Sequence, residues 1–338
     1  MVTKNSNSVY VIAEAGVNHN GCIDNAKRLI DVAAEAGADA VKFQTFKAAK
    51  LVTVDAATAE YQTQTTGESS QYSMLKKLEL ADADHQLLWD YAEERNIQFL
   101  STGFDNESLQ MLDKLGVPFF KVPSGEITNY PLLQTLAKLG KPTVVSTGMA
   151  NLNEISECLE VLVSGKLTHQ NLTVLHCNTQ YPTPMRDVNL RAMLTIQDNF
   201  PDVAIGYSDH TLGIEIPVAA VALGATLIEK HFTLDKSMPG PDHAASLEPN
   251  ELTAMISAIR NIEAAIGDGI KQASPSEQPN IEVARKSIVA STAISAGDIF
   301  SAANLTAKRP GSGRSPMDWP KLIGQSAKRD YVTDELID

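Results

Sequence analysis

Cysteine is scarce. The 338-residue chain has three, Cys22, Cys158 and Cys177, odd in number and widely spaced. That excludes a disulfide framework and predicts reduced thiols in a cytoplasmic protein. Basic charge is also short, with 28 Lys and Arg against 41 Asp and Glu, a net −13. The deficit argues against nucleic-acid binding. It leaves room for an anionic small molecule, because a local pair of lysines can override the global field. Long apolar runs are missing: no window approaches a membrane span. The opening stretch, MVTKNSNSVYVIAEAG, has too short an apolar run for a signal peptide. What remains is ordinary globular composition, 43% hydrophobic and 20% charged. The length suits two domains, or a large barrel with an appendage.

Eight short apolar runs recur, each followed by a helical pattern. They are Val9-Ala13, Ala40-Phe43, Ile97-Leu100, Pro118-Val122, Thr143-Val145, Leu172-Leu175, Val203-Gly206 and Thr226-Ile228. Near-continuous hydrophobicity of this kind predicts parallel strands covered on both faces. The intervening helices carry expected N-caps at Asp24, Asn106 and Asn250, and a proline suited to a first helical position at Pro131. Eight alternating units predict a (β/α)8 TIM barrel over residues 1–272, with a doubly wound sheet as runner-up. The polar section Val52-Leu80 is long for a strand-to-helix connection and reads as a functional loop. Residues 273–284 read as a linker. Residues 285–338 read as a small, mostly β domain, near the lower size limit for independent stability.

Chemistry collects where strands end, the active face of such a barrel. Glu14 follows strand 1. Lys42 and Gln44 lie at strand 2, and Thr102 at strand 3. Lys121, Ser124 and Glu126 follow strand 4, and Ser146 follows strand 5. Asn178, Thr179 and Tyr181 follow strand 6. Strands 7 and 8 end in Ser208-Asp209-His210 and Glu229-Lys230-His231. A right-handed crossover makes those two strands parallel neighbours, which brings both histidines within reach of one divalent metal. The lysines and hydroxyls suit a phosphate or carboxylate. Glu126 and Glu229 are acid/base candidates. Ser208-Asp209-His210 is no hydrolase triad, because adjacent strand residues cannot make the mutual contacts.

The motifs IAEAGVNHNG (12–21), KFQTFKA (42–48), KVPSGEITNYP (121–131), HCNTQYPTP (176–184), GYSDHT (206–211), EKHFT (229–233), GPDHAASLEP (240–249) and KRPGSG (308–313) resemble the sialic acid synthase family, which includes N-acetylneuraminate, legionaminate and pseudaminate synthases. The resemblance implies a TIM barrel followed by an antifreeze-like (SAF) domain, in a domain-swapped homodimer. It implies condensation of phosphoenolpyruvate with an N-acylated mannosamine, releasing phosphate. His210 and His231 would hold the divalent metal, commonly manganese in the family, with magnesium or cobalt as alternatives. Lys42, Thr102, Lys121, Ser124, Ser146, Asn178, Thr179 and Ser208 would hold phosphoenolpyruvate. Glu126, Glu229 and Lys121 would be catalytic. Gln44, Tyr181, Asp242 and Arg309 would contact the sugar. Two positions depart from the pattern. Some members read Thr-Asn where this chain has Asn178-Thr179, and many have proline in place of Gly103.

Within the family the motifs favour N-acetylneuraminate synthase, using N-acetylmannosamine. The alternative is N,N'-diacetyllegionaminate synthase, using 2,4-diacetamido-2,4,6-trideoxymannose. A metal-dependent sugar or amide hydrolase is a remoter reading, which leaves Lys42 and Lys121 without a role.

Overall fold

The computed structural model describes residues 8–338. The reading of the N-terminus as lacking a signal peptide rests partly on residues 1–7, which lie outside the described residues. Two compact units emerge, Met1–Gly267 and Asp268–Asp338.

The first unit is the eight-stranded TIM barrel. Its strands are β1 (Tyr10–Gly16), β2 (Ala40–Thr45), β3 (Gln98–Gly103), β4 (Phe120–Val122), β5 (Thr143–Ser146), β6 (Leu172–Cys177), β7 (Ala204–Asp209) and β8 (Leu227–His231). All pairings are parallel, in the order β3-β2-β1-β8-β7-β6-β5-β4, and β3 lies against β4 at the seam. All eight expected strands are present.

Strand side chains alternate between two faces, so the register decides what reaches the barrel interior. Tyr10 and Ile12, Ala40, Leu100, Phe119, Val144, Leu175 and Leu227 form one buried apolar cluster inside the barrel. Two residues further along each strand, the same inward phase becomes polar. Ile12 leads to Glu14, Ala40 to Lys42, Leu100 to Thr102 and Phe119 to Lys121. Val144 leads to Ser146, Leu175 to Cys177 and Leu227 to Glu229. On β7 the inward position below Ser208 is Gly206. A Cβ there would lie 2.4 Å from the Leu227 carbonyl oxygen and 2.6 Å from Leu175 Cδ2, so the filled interior admits only glycine. An apolar plug therefore supports a polar floor.

The opposite phase packs outward on the helices. Val9, Val11, Ala13 and Ala15 join the main core with Ala26, Leu29, Ile30 and Ala33 of the helix Ile23–Glu35, a stripe at helical spacing. Asp209 and Lys230, also of this outward phase, form a fully buried ion pair that donates further to the Thr211 carbonyl.

The expected caps shift by one or two residues. Asp105, not Asn106, caps the helix Asn106–Leu115, because its extended backbone lets Oδ1 accept from Ser108 N–H at 2.8 Å. Asp24 lies inside its helix, where its charge favours the N-terminal turn. Glu248 precedes the helix Pro249–Ala265, displacing Asn250 from the cap and putting Pro249 in the first position. Pro131 is likewise inside the first turn, behind a cap from Asn129.

In the second unit, β9 (Ser287–Ala290) and β10 (Leu305–Lys308) pair antiparallel over a small core that includes Ile288, Phe300, Leu322 and Tyr331. The segment 273–284, expected as a linker, contains the short helix Gln278–Ala284. Among the described residues, no helix is long and apolar enough to cross a membrane. All three cysteines are free.

Candidate active site

The polar floor opens into a cavity of about 240 Å³ at the C-terminal ends of the strands. Lys42 Nζ lies 2.7 Å from both Glu14 Oε2 and Thr102 Oγ1, and 3.7 Å from Glu229 Oε1. Lys121 Nζ is 3.4 Å from the same Glu229 oxygen. Gln44 donates to Glu14 at 3.2 Å. Two cations and two carboxylates are thus interleaved, all four side chains buried. Burial alone would lower the Lys42 pKa, but Glu14 and Glu229 reverse this and raise it. Lys121 is lowered by burial, the charge of Glu229 compensating only in part. Burial raises Glu14 to about 7 against the pull of Lys42, with Glu229 adding to the rise. Burial would raise Glu229 too, yet the two lysines keep it low.

Several buried polar atoms here lack a partner: Ser146 Oγ, Glu229 Oε2 and His231 Nδ1. Buried polar groups are normally hydrogen-bonded, so three orphans lining one cavity mark a place for a ligand.

His210 and His231 stand on one side, ring centroids 5.4 Å apart. His210 Nδ1 hydrogen-bonds the Asn178 carbonyl and lies 3.7 Å from Cys177 Sγ. Burial would lower this imidazole's pKa; Cys177 and the Asn178 carbonyl outweigh burial and raise it, favouring the protonated ring. With Nδ1 turned to the Asn178 carbonyl, Nε2 is the nitrogen a divalent ion would take in exchange for its proton. His231 is held well below its usual value by burial and by the positive groups around it, and stays neutral. Asp242 Oδ2 lies 3.9 Å from its Nδ1. Among the described residues, no group of three or more His, Cys, Asp or Glu is arranged to hold a metal. Two facing imidazoles, one with an orphaned nitrogen, nevertheless fit a divalent ion. Its other positions would fall to water and substrate, as a Lewis-acid site requires.

The expected residues that line this cavity are Lys42, Gln44, Thr102, Lys121, Ser124, Ser146, Thr179, Tyr181, Ser208, His210, Glu229, His231 and Asp242. Asn178 does not line it; its carbonyl orients His210 instead. Glu126 does not line it either. It ends the turn Ser124–Glu126, and its carboxylate accepts from Asn129 Nδ2 at 2.5 Å. Arg309 belongs to the second unit, where Nε donates to the Ala284 carbonyl at 3.0 Å. Gly103 ends β3, and a Cβ there would meet Leu109 Cδ2 at 2.8 Å, so a close helix contact takes the space a larger residue would need.

Sequence reasoning gave Glu14 no role, although its place two residues beyond Ile12 is the signal for one. It also missed Tyr61, which stacks on Tyr181 at 5.5 Å; Tyr181 in turn stacks on His210 at 4.0 Å. Tyr61 belongs to the section 52–80, which folds into the helices Glu60–Thr66 and Gln71–Leu78 beside the cavity.

The loop after β8 is clamped to the loop after β1. Asn18, fully buried, donates to the Phe232 carbonyl at 2.8 Å and to Ser246 Oγ at 3.0 Å, and Ser246 donates to the Asp242 carbonyl at 2.7 Å. His19 Nδ1 accepts from Gly21 N–H at 2.9 Å, and its buried Nε2 has no partner. Burial lowers His19 to about 4. Between pH 6.5 and 4 the unfolded chain therefore binds the proton and the folded one does not, so stability falls as pH falls through that window. His19→Asn keeps an acceptor for Gly21 but does not titrate. Its unfolding free energy, from urea titrations, should fall less steeply from pH 6.5 to 4, by up to about 3 kcal/mol over the window.

These features define a class first: a TIM barrel whose mouth gathers two buried lysines and two buried carboxylates beside two histidines. Comparison with known proteins then places the chain. The NeuB family model matches residues 29–271, and the SAF domain model matches 285–338. An N,N'-diacetyllegionaminic acid synthase of Campylobacter jejuni is 55% identical over 97% of this chain and 98% of that protein. One from Legionella pneumophila is 47% identical over 94% and 90%. The crystal structure of an N-acetylneuraminic acid synthetase from Leptospira borgpetersenii, in complex with citrate, superposes with a TM-score of 0.72 at 35% identity, covering 83% of this chain and 95% of that one. The chain belongs to the NeuB family. It is an enzyme, one of the family's phosphoenolpyruvate-dependent condensing synthases.

Proposed function

We propose that this enzyme joins phosphoenolpyruvate to 2,4-diacetamido-2,4,6-trideoxymannose, forming N,N'-diacetyllegionaminate and phosphate. The carrying observation is the floor of the barrel, where Lys42 and Lys121 flank orphaned polar atoms in the same cavity as the imidazoles of His210 and His231. The sequence motifs favoured N-acetylmannosamine. The names of the relatives at 55% and 47% identity move the proposal to the diacetamido sugar.

Lys42 and Lys121 hold the phosphate and carboxylate, and Ser124, Ser146 and Ser208 orient them. His210 and His231 would hold a divalent metal, which when bound would supply Lewis-acid polarisation of the sugar aldehyde. Gln44, Tyr181 and Asp242 hold the open-chain sugar. C3 of phosphoenolpyruvate forms the new bond to the aldehyde carbon, and the aldehyde oxygen takes a proton. Water adds at C2 and gives up both protons, one to the aldehyde oxygen and one to the phosphate, as the C2–O bond to phosphate breaks and C2 becomes a ketone. Glu126 serves as acid/base in this proposal, and Arg309 contacts the sugar from a partner's SAF domain in a domain-swapped homodimer.

Glu126→Gln keeps a carbonyl oxygen for Asn129 and should keep the fold while losing about a hundredfold in kcat. Full activity would remove Glu126 from the chemistry. The sugar is tested by kcat/KM for phosphate release with each of the two sugars. Preference for the diacetamido sugar supports the proposal; preference for N-acetylmannosamine returns the assignment to N-acetylneuraminate synthase.

A further inference from the structure

The cavity has two unlike ends. Its floor is made of strand ends and carries both lysines. One wall of its mouth is apolar, formed by Val17, Met74, Leu75, Leu78 and Phe104. Val17, Met74 and Leu78 are buried and pack with Phe46 into a small cluster of their own. Their burial is explained by holding the helix Gln71–Leu78 against the barrel. Gly21 shows how close that approach is: its φ is +70°, and a Cβ there would lie 2.6 Å from the Lys77 carbonyl oxygen. Leu75 and Phe104 are different. They sit beside this cluster, remain only half-buried, and line the cavity. Their apolar surface is left for whatever enters.

We infer that Leu75, with Phe104, selects the sugar by the apolar substituents at its far end. The inference rests on the synthase reading above. The aldehyde carbon must reach phosphoenolpyruvate at the floor, which turns the opposite end of the open-chain sugar towards the mouth. In the trideoxy sugar that end carries a C6 methyl and a second acetyl methyl. In N-acetylmannosamine it carries hydroxyls, which an apolar wall would strip of water without offering partners. A 6-phosphorylated sugar fits worse still, because none of these five wall residues is cationic. A single methyl against such a wall is worth about tenfold or more in kcat/KM.

The test measures kcat/KM for both sugars with the wild type, Leu75→Gln and Leu75→Met. The wild type should prefer the diacetamido sugar. Leu75→Gln should lower that sugar's kcat/KM by about tenfold or more, while N-acetylmannosamine and the KM for phosphoenolpyruvate change less than about threefold. Leu75→Met should restore the preference. If Leu75→Gln loses its circular dichroism signature, Phe104→Asn carries the same comparison. An equal fall for both sugars, or an unchanged preference, overturns the inference. Turnover of both sugars by the wild type without preference overturns it and leaves the synthase reading standing. No phosphate release with either sugar brings down that reading itself.

Discussion

Lys42→Gln should lower kcat/KM by about a thousandfold or more, the scale of losing a charge aimed at a reacting anion. Lys42 is the hub of the floor, touching Glu14 and Thr102 and approaching Glu229. Its loss removes half the positive charge offered to phosphoenolpyruvate. It also leaves two buried carboxylates with only Lys121 between them. Breaking a buried pair from one side costs on the order of 3–5 kcal/mol. Here Glu14 can relieve part of that by taking a proton, since burial already raises it to about 7. In the variant the folded-state pKa rises further, so its deficit should be largest above pH 7 and shrink as pH falls. Turnover and urea stability from pH 6 to 9 read both effects. Near wild-type turnover would remove Lys42 from the substrate site.

Metal removal and His231→Ala form the second large effect. A chelator should abolish turnover, and manganese should restore it. His231→Ala should lose about a thousandfold, with no rescue by metal that saturates the wild type. Nδ1 of His231 makes no hydrogen bond, so its removal forfeits none. The diagnostic readout is thermal. Manganese binding the folded state raises the wild-type melting temperature by mass action, and that rise should vanish in His231→Ala. An unchanged metal-induced rise would place the ion elsewhere.

The sequence carried most of the fold because parallel strands read as plain apolar runs and the helices carry clear stripes. It carried much of the site because the polar residues sit two positions past the apolar plug on the same strand phase. The phase that brings Lys42 inward also brings Glu14 inward beside it, yet Glu14 was noted without being weighed. The section 52–80 was harder. Its polar run hides that Tyr61 stacks over Tyr181. The spacing of Met74, Leu75 and Leu78 in QYSMLKKL is a short helical stripe that could have been read. Glu126 came from its place after strand 4 as well as from the resemblance, Arg309's sugar contact from the resemblance alone. Local geometry ties one to Asn129 and the other to Ala284. The cap at Asp105 was misplaced because neighbouring Asp and Asn are equally good caps, and only the backbone angle separates them.

The central claim is that the barrel mouth couples phosphoenolpyruvate to a sugar. It is tested most directly by following phosphate and the joined acid product together, with manganese, while the sugar is supplied or withheld. The account predicts no phosphate without sugar, and one phosphate per molecule of acid product when the diacetamido sugar is present. Phosphate released without sugar, or acetate released from the sugar with no phosphate, would contradict it.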